Sequence, residues 1–464
     1  MVTVNFKNSL GKQFAFLFLI LIVLQFSCRS KEQNPKQPNI ILILIDDLGY
    51  GDLGCYGNKL NNTPHIDRLS EEGLLLTDFH SNGPMCTPTR ASLLTGMYQN
   101  RLGEMFEGPL SGKTQYDKGM PLEITTIAEL LKSRGYATGM FGKWHLGYKL
   151  PFLPVNQGFD EFRGLGAGDG DHHSHIDRWG REDWWHNGSL DMENGYSVDL
   201  ITQHSKEFIT KNKDNPFFLY MAHLAIHFPW QGPNDPPHRQ KGTSYEDDKW
   251  GIIPDRENVH PHVKAMVEAV DQSVGELIAM LKDLHLEENT LVIFTSDNGG
   301  YIHYNHEFKN ISSNGVLRGQ KAEVYEGGHR VPFIAWWPGK IPAGTKSDQT
   351  AITMDLYPTF AELANIQPTG NQPLDGTSLT GLLFEDKRLP ERTLFWKMDN
   401  EIAVRQGPWK LVKLGDHPAE LYNLDQDISE ANDLSKNEVL IVEQLFSTYS
   451  DWEMEMQEGA SKWK

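Results

Sequence analysis

The chain has 464 residues, 39% hydrophobic and 23% charged, with 43 Lys and Arg against 62 Asp and Glu for a net charge of −19. That is too long for a peptide or a disulfide knot and too apolar for wholesale disorder, so it implies one large domain with an appendage, or two to three domains. The acidic balance excludes a protein that wraps nucleic acid or another polyanion by bulk charge, and leaves a local cationic pocket as the way to bind an anion.

Lys7 and Lys12 precede an apolar run, Phe14 to Leu24. It is too short to span a bilayer comfortably and suits a signal-peptide core. It ends at Leu24-Gln25-Phe26-Ser27-Cys28, similar to a loose bacterial lipoprotein box. Residues 1–28 are therefore expected to be a signal peptide of lipoprotein type. A lipid on Cys28 would be the sole membrane link, residues 29–38 a polar tether, and the periplasm or cell surface the destination. The three cysteines, Cys28, Cys55 and Cys86, are too few for a disulfide scaffold. With Cys28 lipidated, Cys55 and Cys86 could still pair, but the residues around Cys86 argue against it.

Asn39–Ile45 is a β-rich apolar run ending in Asp46-Asp47, the pattern of a parallel strand buried on both faces. Residues 290–295 repeat it and end at Asp297-Asn298-Gly299-Gly300; residues 216–222 form a third run, leading to His223 and His227. Helical periods lie between, over residues 125–134 closed by Gly135 and over residues 263–284. Strands alternating with helices predict an α/β fold with a central, mostly parallel sheet flanked by helices, where ligands gather beyond the carboxyl ends of the strands. Residues 151–194 and 229–262 read as long loops over the sheet. After about Pro390 short β-type runs and a final helix over residues 437–455 predict a smaller C-terminal α+β subdomain with an antiparallel sheet. The expected division is 39–389 for the catalytic domain and 390–464 for the subdomain.

Asp46, Asp47, Asp297 and Asn298 come from two strand ends far apart in sequence, and three carboxylates with an amide oxygen suit a hard divalent cation, Ca²⁺ or Mg²⁺, better than zinc. A single Asp-Asp or Asp-Asn pair would read as a cap or turn; their parallel placement favours metal. In Cys86-Thr87-Pro88-Thr89-Arg90, Pro88 can occupy a first helical turn. Cys86 then sits just outside a helix amino terminus, where free N–H groups favour an anion and activate a nucleophile, and Arg90 adds a planar charged fork.

This run, C-x-P-x-R followed by Leu94-Thr95-Gly96, resembles the signature of the formylglycine-dependent sulfatases, whose cysteine is oxidised to Cα-formylglycine. Asp46-Asp47-Leu48-Gly49-Tyr50-Gly51-Asp52, Gly142-Lys143-Trp144-His145-Leu146-Gly147, Asp297-Asn298-Gly299-Gly300, Arg318-Gly319-Gln320-Lys321 with Glu326-Gly327-Gly328, and Leu421-Tyr422-Asn423-Leu424 resemble the family's further blocks in the family's order. Thr89 and Gln320 are mild departures that remove no catalytic atom. The Ser313-Asn314-Gly315…Glu326-Gly327-Gly328 and Ala335-Trp336-Trp337-Pro338-Gly339 stretches look most like the arylsulfatase A and N-acetylgalactosamine-6-sulfatase branch, and the resemblance implies an alkaline-phosphatase-like fold.

The resemblance implies a sulfuric ester hydrolase with Cys86, Arg90, Lys143, His145, His227 and Lys321 as catalytic residues, and Asp46, Asp47, Asp297 and Asn298 with modified Cys86 around the metal. The family's H-x-P pattern falls on His227, leaving His223 as a supporting or core imidazole. It further implies a formylglycine-generating maturation enzyme as partner. The Asp169–His175 cluster invites a zinc reading, but a substrate-facing loop suits it better. Aromatic and imidazole side chains at Trp179, Trp184, Trp185, Trp230, Trp250, His303, Tyr304 and His306 are expected to form a sugar-binding rim, pointing to sulfated carbohydrate. The rival readings are a phosphatase or phosphodiesterase of the same superfamily, which would carry Ser or Thr at the nucleophile, and an inactive sulfated-glycan-binding lipoprotein, which would need no oxidisable cysteine.

Overall fold

A computed structural model describes residues 1–3, 37–246, 248, 255–368 and 372–463. The apolar run at 14–24 and Cys28 lie outside the described residues, and among those described no helix is long and apolar enough to cross a membrane. Residues Pro38–Lys464 form one compact unit.

Its centre is a ten-stranded sheet built on β1 (Asn39–Ile45). In chain order follow β2 (Leu74–Leu76), β3 (Ala137–Lys143), β4 (Glu161–Leu165), β5 (Trp185–His186), β6 (Ser189–Leu190), β7 (Phe217–His223), β8 (Thr290–Ser296), β9 (Phe333–Trp336) and β10 (Thr345–Ser347). The spatial order is β10-β2-β9-β8-β1-β7-β3-β4-β5-β6. The five middle strands, β8 to β4, are parallel; β9 turns antiparallel against β8, and β5 against β4. β1 shows why an uninterrupted apolar run belongs here. Ile40, Leu42 and Leu44 enter one core and Ile41, Ile43 and Ile45 the other, all fully buried. Each such side chain contributes about 1.5–3 kcal/mol, so both faces must be covered.

The first core is covered by α2 (Cys86–Thr95), α3 (Ile127–Ser133) and α6 (Leu356–Leu363); the second by α1 (Pro64–Glu71), α4 (Ser197–Asn212) and α5 (His260–Asp283). Helix α3 starts where Thr126 accepts the Glu129 amide N–H at 3.1 Å and Glu129 accepts that of Thr126 at 2.8 Å, a reciprocal cap. At Gly142, on β3, φ is +114° and a Cβ would stand 1.9 Å from the Ala222 carbonyl oxygen of β7. Only glycine lets these strands approach so closely just before Lys143.

The stretch 151–194, expected as loop, contains β4, β5 and β6. Its glycine and aspartate content hid a strand that completes the parallel layer by pairing with β3. Past it, β11 (Thr393–Met398), β12 (Glu401–Gln406), β13 (Trp409–Leu414) and β14 (Glu420–Asn423) make a separate antiparallel meander, with α7 (Val439–Ala460) packed on it. The meander is tied to the large sheet's loops by buried ion pairs. Lys410 Nζ lies 2.9 Å from both Glu326 and Glu430, and Asp78 pairs with Arg405 at 2.7 Å and Arg330 at 3.2 Å.

Candidate functional site

Three strand ends of the parallel layer supply the deepest groups. Asp46 and Asp47 follow β1, Lys143 ends β3, and Asp297 and Asn298 follow β8. Because these strands run parallel, their carboxyl ends open on one side of the sheet. Helix α2 begins with Cys86 itself, one residue earlier than its sequence suggests, and Pro88 sits in the first turn where its missing N–H is not needed. Arg90, fully buried, donates from Nε and Nη2 to Asp297 Oδ2 at 3.0 and 2.8 Å and from Nη1 to the Lys143 carbonyl at 2.6 Å. Lys143 Nζ donates to Asp46 Oδ2 and Lys321 Nζ to Asp47 Oδ1, each at 2.5 Å.

These salt bridges leave one side of Asp46 and of Asp47 open, whereas Asp297 Oδ1 accepts the Asp47 N–H at 3.2 Å. Asp46 Oδ1, Asp47 Oδ2 and Asn298 Oδ1 are buried without a hydrogen-bond partner. Ligand atoms of Asp46, Cys86 and Asp297, and of Asp46, Asp47 and His227, lie within 4.8 Å of one another. Burial first, then neighbouring Asp297, raises the Asp46 pKa well above the carboxylate range. Burial pushes Asp297 up as well, but Arg90, Lys143 and Lys321 together hold it low. Buried oxygens that repel one another and lack donors fit a hard divalent cation, which would satisfy and neutralise them together.

Cys86 Sγ is 3.2 Å from His145 Nδ1. The tautomer follows from the other ring nitrogen, which lies 3.1 Å from the Leu110 carbonyl and must donate to it. Nδ1 therefore presents a lone pair to position 86. Burial, then the charge of Lys143, depresses the His145 pKa, keeping the ring neutral. Gly168 makes room for it: a Cβ there would stand 2.2 Å from Nε2. His227 donates from Nδ1 to the Phe228 carbonyl at 2.8 Å and turns Nε2 toward Asp47 Oδ2 at 4.0 Å; burial, then Lys143 and Lys321, lowers its pKa. Cys86, His145, His227 and Lys321 all line a cleft of about 280 Å³. His223 lies apart in the core, its Nε2 3.2 Å from Ser273 Oγ. Cys55 and Cys86 are both free thiols.

A nucleophilic position at a helix start, with a base beside it, thus adjoins a cluster of buried cations and acids at parallel strand ends. The Sulfatase family model matches residues 38–366, and the N-sulphoglucosamine sulphohydrolase C-terminal model matches residues 320–449. The chain belongs to the sulfatase family. It is 34% identical to N-acetylgalactosamine-6-sulfatase of Sus scrofa, over 84% of this chain and 74% of that one. It is 35% identical to arylsulfatase A of Homo sapiens, over 81% and 74%. It therefore sits in their branch and is a sulfuric ester hydrolase. The crystal structure of Ps i-CgsB in complex with k-i-k-neocarrahexaose superposes with a TM-score of 0.78 at 32% identity, covering 90% of this chain and 93% of that chain.

Several residues expected at the rim of this sulfatase are elsewhere. Trp184 and Trp230 are core residues, Trp184 stacking on His175 at 4.3 Å. Trp179 and Tyr304 do line the cleft, Trp185 lines a neighbouring cavity, His303 and His306 are exposed, and Trp250 lies outside the described residues. In the 169–175 segment, Asp169 pairs with Arg178 and Arg239, both at 2.9 Å. Asp171 accepts five N–H donors, and His172 Nε2 donates to the His227 carbonyl at 3.0 Å. These side chains hold the loops that carry His227 and so serve architecture, and among the described residues none belongs to a metal-compatible group. Tyr148, Arg178 and Tyr301 line the cleft although nothing singled them out in sequence. Tyr301 directly follows the Asp297–Gly300 block, a signal that could have found it.

Proposed function

We propose that the chain removes sulfate from sugars of polysaccharide-derived oligosaccharides, using Cα-formylglycine made from Cys86 and a divalent cation, Ca²⁺ or Mg²⁺, held by Asp46, Asp47, Asp297 and Asn298. The observation that carries this reading is the convergence on Cys86 of a neutral His145 lone pair and, around the adjoining acids, three buried unpartnered oxygens with Arg90, Lys143 and Lys321. The substrate class is supported by N-acetylgalactosamine-6-sulfatase and the neocarrahexaose complex among the relatives.

Cys86 Sγ stands where the modified residue's oxygens would be. Formylglycine at position 86 would supply, once hydrated, a nucleophilic oxygen and a second geminal hydroxyl with a proton to give up, and a cation held by Asp46, Asp47, Asp297 and Asn298 would supply positive charge to an anionic substrate. Lys143 and Arg90 hold Asp46 and Asp297 in place, Arg90 and Lys143 also keeping Asp297 ionised, and Lys321 reaches the cleft to offset charge that grows as the S–O bond lengthens. His145 Nδ1 accepts the proton from position 86, since its Nε2 hydrogen is committed to Leu110. His227, whose Nε2 bears the lone pair in the neutral ring, gains proton affinity when a sulfate anion enters and, with Lys321, protonates the leaving alcohol. A serine at 86 would lack the second geminal hydroxyl. Cys86→Ser is therefore expected to cut sulfate release by at least about 10³-fold while leaving the melting temperature unchanged. Sulfate release measured on sulfated galactose and N-acetylgalactosamine esters tests it; full turnover by the variant would overturn the aldehyde assignment.

A further inference from the structure

A second cavity, of about 410 Å³, abuts the catalytic cleft, and the two share Tyr148 and Asp177 in their walls. Tyr148 connects them physically. Its ring lies edge-on to His145 at 6.3 Å and meets Tyr116 at 5.7 Å, and its hydroxyl donates to Leu110, the same carbonyl that fixes the His145 tautomer. Beyond Tyr148 the walls are Tyr116, Trp185 and Leu190 on one hand and Arg181 and Lys241 on the other. Trp185 and Leu190 are register partners across the β5–β6 hairpin, so their side chains share a face. Arg181 marks the boundary with the cleft. Its Nε donates to Asp177 at 2.6 Å and its Nη1 to the carbonyl of cleft-lining Gly112 at 3.3 Å, while Nη2 is buried with no hydrogen-bond partner.

We propose that this cavity binds the sugar next to the sulfated one, so that the enzyme recognises at least two residues of a chain; the proposal rests on the carbohydrate sulfatase reading above. Trp185 with a few fixed donors is the kind of surface on which a pyranose ring stacks and hydrogen-bonds, while Tyr116, with Arg181 at 4.1 Å and Lys149 at 4.3 Å over its ring, shapes the wall, and the volume falls within the roughly 300–1,000 Å³ of small-molecule sites. The charge balance narrows the occupant. Arg181 and Lys241 are paired with Asp177 and Glu182, and Asp183 adds a further acid, so the walls carry three acids against two cations and disfavour a second anion. The neighbouring sugar is an uncharged one.

The test uses the converted enzyme on galactose sulfate and N-acetylgalactosamine 6-sulfate, each as a methyl glycoside and as the terminal sugar of a tetrasaccharide whose second sugar is uncharged. The tetrasaccharide should show kcat/KM at least about tenfold higher, mostly through KM. Leu190→Trp, at an exposed hairpin position, should fill the cavity, and Tyr116→Ala should strip one wall. Either should reduce the chain-length gain to about threefold or less while the glycoside rate stays within about twofold. Calorimetry with the desulfated tetrasaccharide should show binding that Leu190→Trp weakens. Equal kcat/KM for glycoside and tetrasaccharide, or a gain unchanged in both variants, overturns the second site and leaves the sulfatase reading standing. No sulfate from any ester, a small aryl sulfate included, overturns the sulfatase reading instead, and calorimetry then decides the cavity by itself.

Discussion

His145 and Cys86 face each other because two backbone features constrain the imidazole: a carbonyl at Leu110 that takes the Nε2 hydrogen, and a glycine at 168 that leaves room for the ring. Replacing His145 by Ala removes the base without disturbing the cation cluster. Turnover should drop by about 10²–10⁴-fold with KM little changed, which steady-state kinetics on a sulfated glycoside will read. The acids beneath make a different prediction. With three buried oxygens lacking donors, a cation that binds only the folded chain should stabilise it by about 2.7 kcal/mol at a hundredfold excess over its Kd. Thermal denaturation should therefore shift upward with Ca²⁺ or Mg²⁺ and back with a chelator, and Asp297→Asn should abolish the response. A midpoint indifferent to both would remove the metal from this site.

At the scale of elements, the parallel strands place the acids and Lys143, whereas the loops place Lys321 and the histidines. Loop 166–184 has few apolar residues to bury, and Asp171 organises it instead, gathering the N–H groups of His173, Ser174, His238 and Arg239 and the Gln231 amide. Burial pushes its pKa up, but those donors outweigh it and bring the carboxyl down to about 2. A carboxylate whose folded pKa is depressed from about 3.9 in the unfolded chain contributes its stability above that value and loses it as pH falls through the folded pKa. The contribution is about 2 kcal/mol, present at neutral pH and fading between about pH 4 and pH 2. Asp171→Asn should be less stable at pH 7, and its denaturation midpoint should change less between pH 4 and pH 2 than the parent's. Parallel curves would show that the carboxylate's charge is not what holds the loop.

For the whole molecule, the four-stranded meander does more than cap the large sheet. Arg318 reaches from the Lys321 loop to the Tyr422 hydroxyl and the Glu430 carbonyl, both at 2.8 Å, and Gly299, next to Asn298, donates to the Gly328 carbonyl at 2.9 Å. The segment 318–328 is thus held between the acid cluster on one side and Lys410, Glu326 and Glu430 on the other. Lys410→Met would leave two buried carboxylates facing each other, and breaking such a pair costs about 3–5 kcal/mol. Chemical denaturation should show a loss of that size, with sulfate release falling in the folded protein because Lys321 loses its support. A variant as stable and active as the parent would show that the meander is energetically independent of the site.

The amino-acid sequence by itself determined the class of fold and most of the chemistry. Continuous apolar runs such as Asn39–Ile45 can be buried only in a covered parallel sheet, and the polar residues that end them must then gather at one edge. Pro88 singled out Cys86 and Arg90 because it constrains the local backbone to a first helical turn, whereas Lys321 was legible only through the family resemblance. Strands broken by glycine, such as Glu161–Leu165 and Ala137–Lys143, were illegible for the opposite reason: their glycines exist to let another strand approach, which no local pattern records. Only tertiary structure separated Trp184 and Trp230 in the core from Trp179 in the cleft, showed that of the 169–175 segment Asp169 faces the cleft while its neighbours support the surrounding loops, and placed Tyr148 between two cavities. A tryptophan or histidine carries the same chemistry wherever it lies. Its role is decided by which donors, acceptors and surfaces distant segments bring to it, and that depends on packing across hundreds of residues.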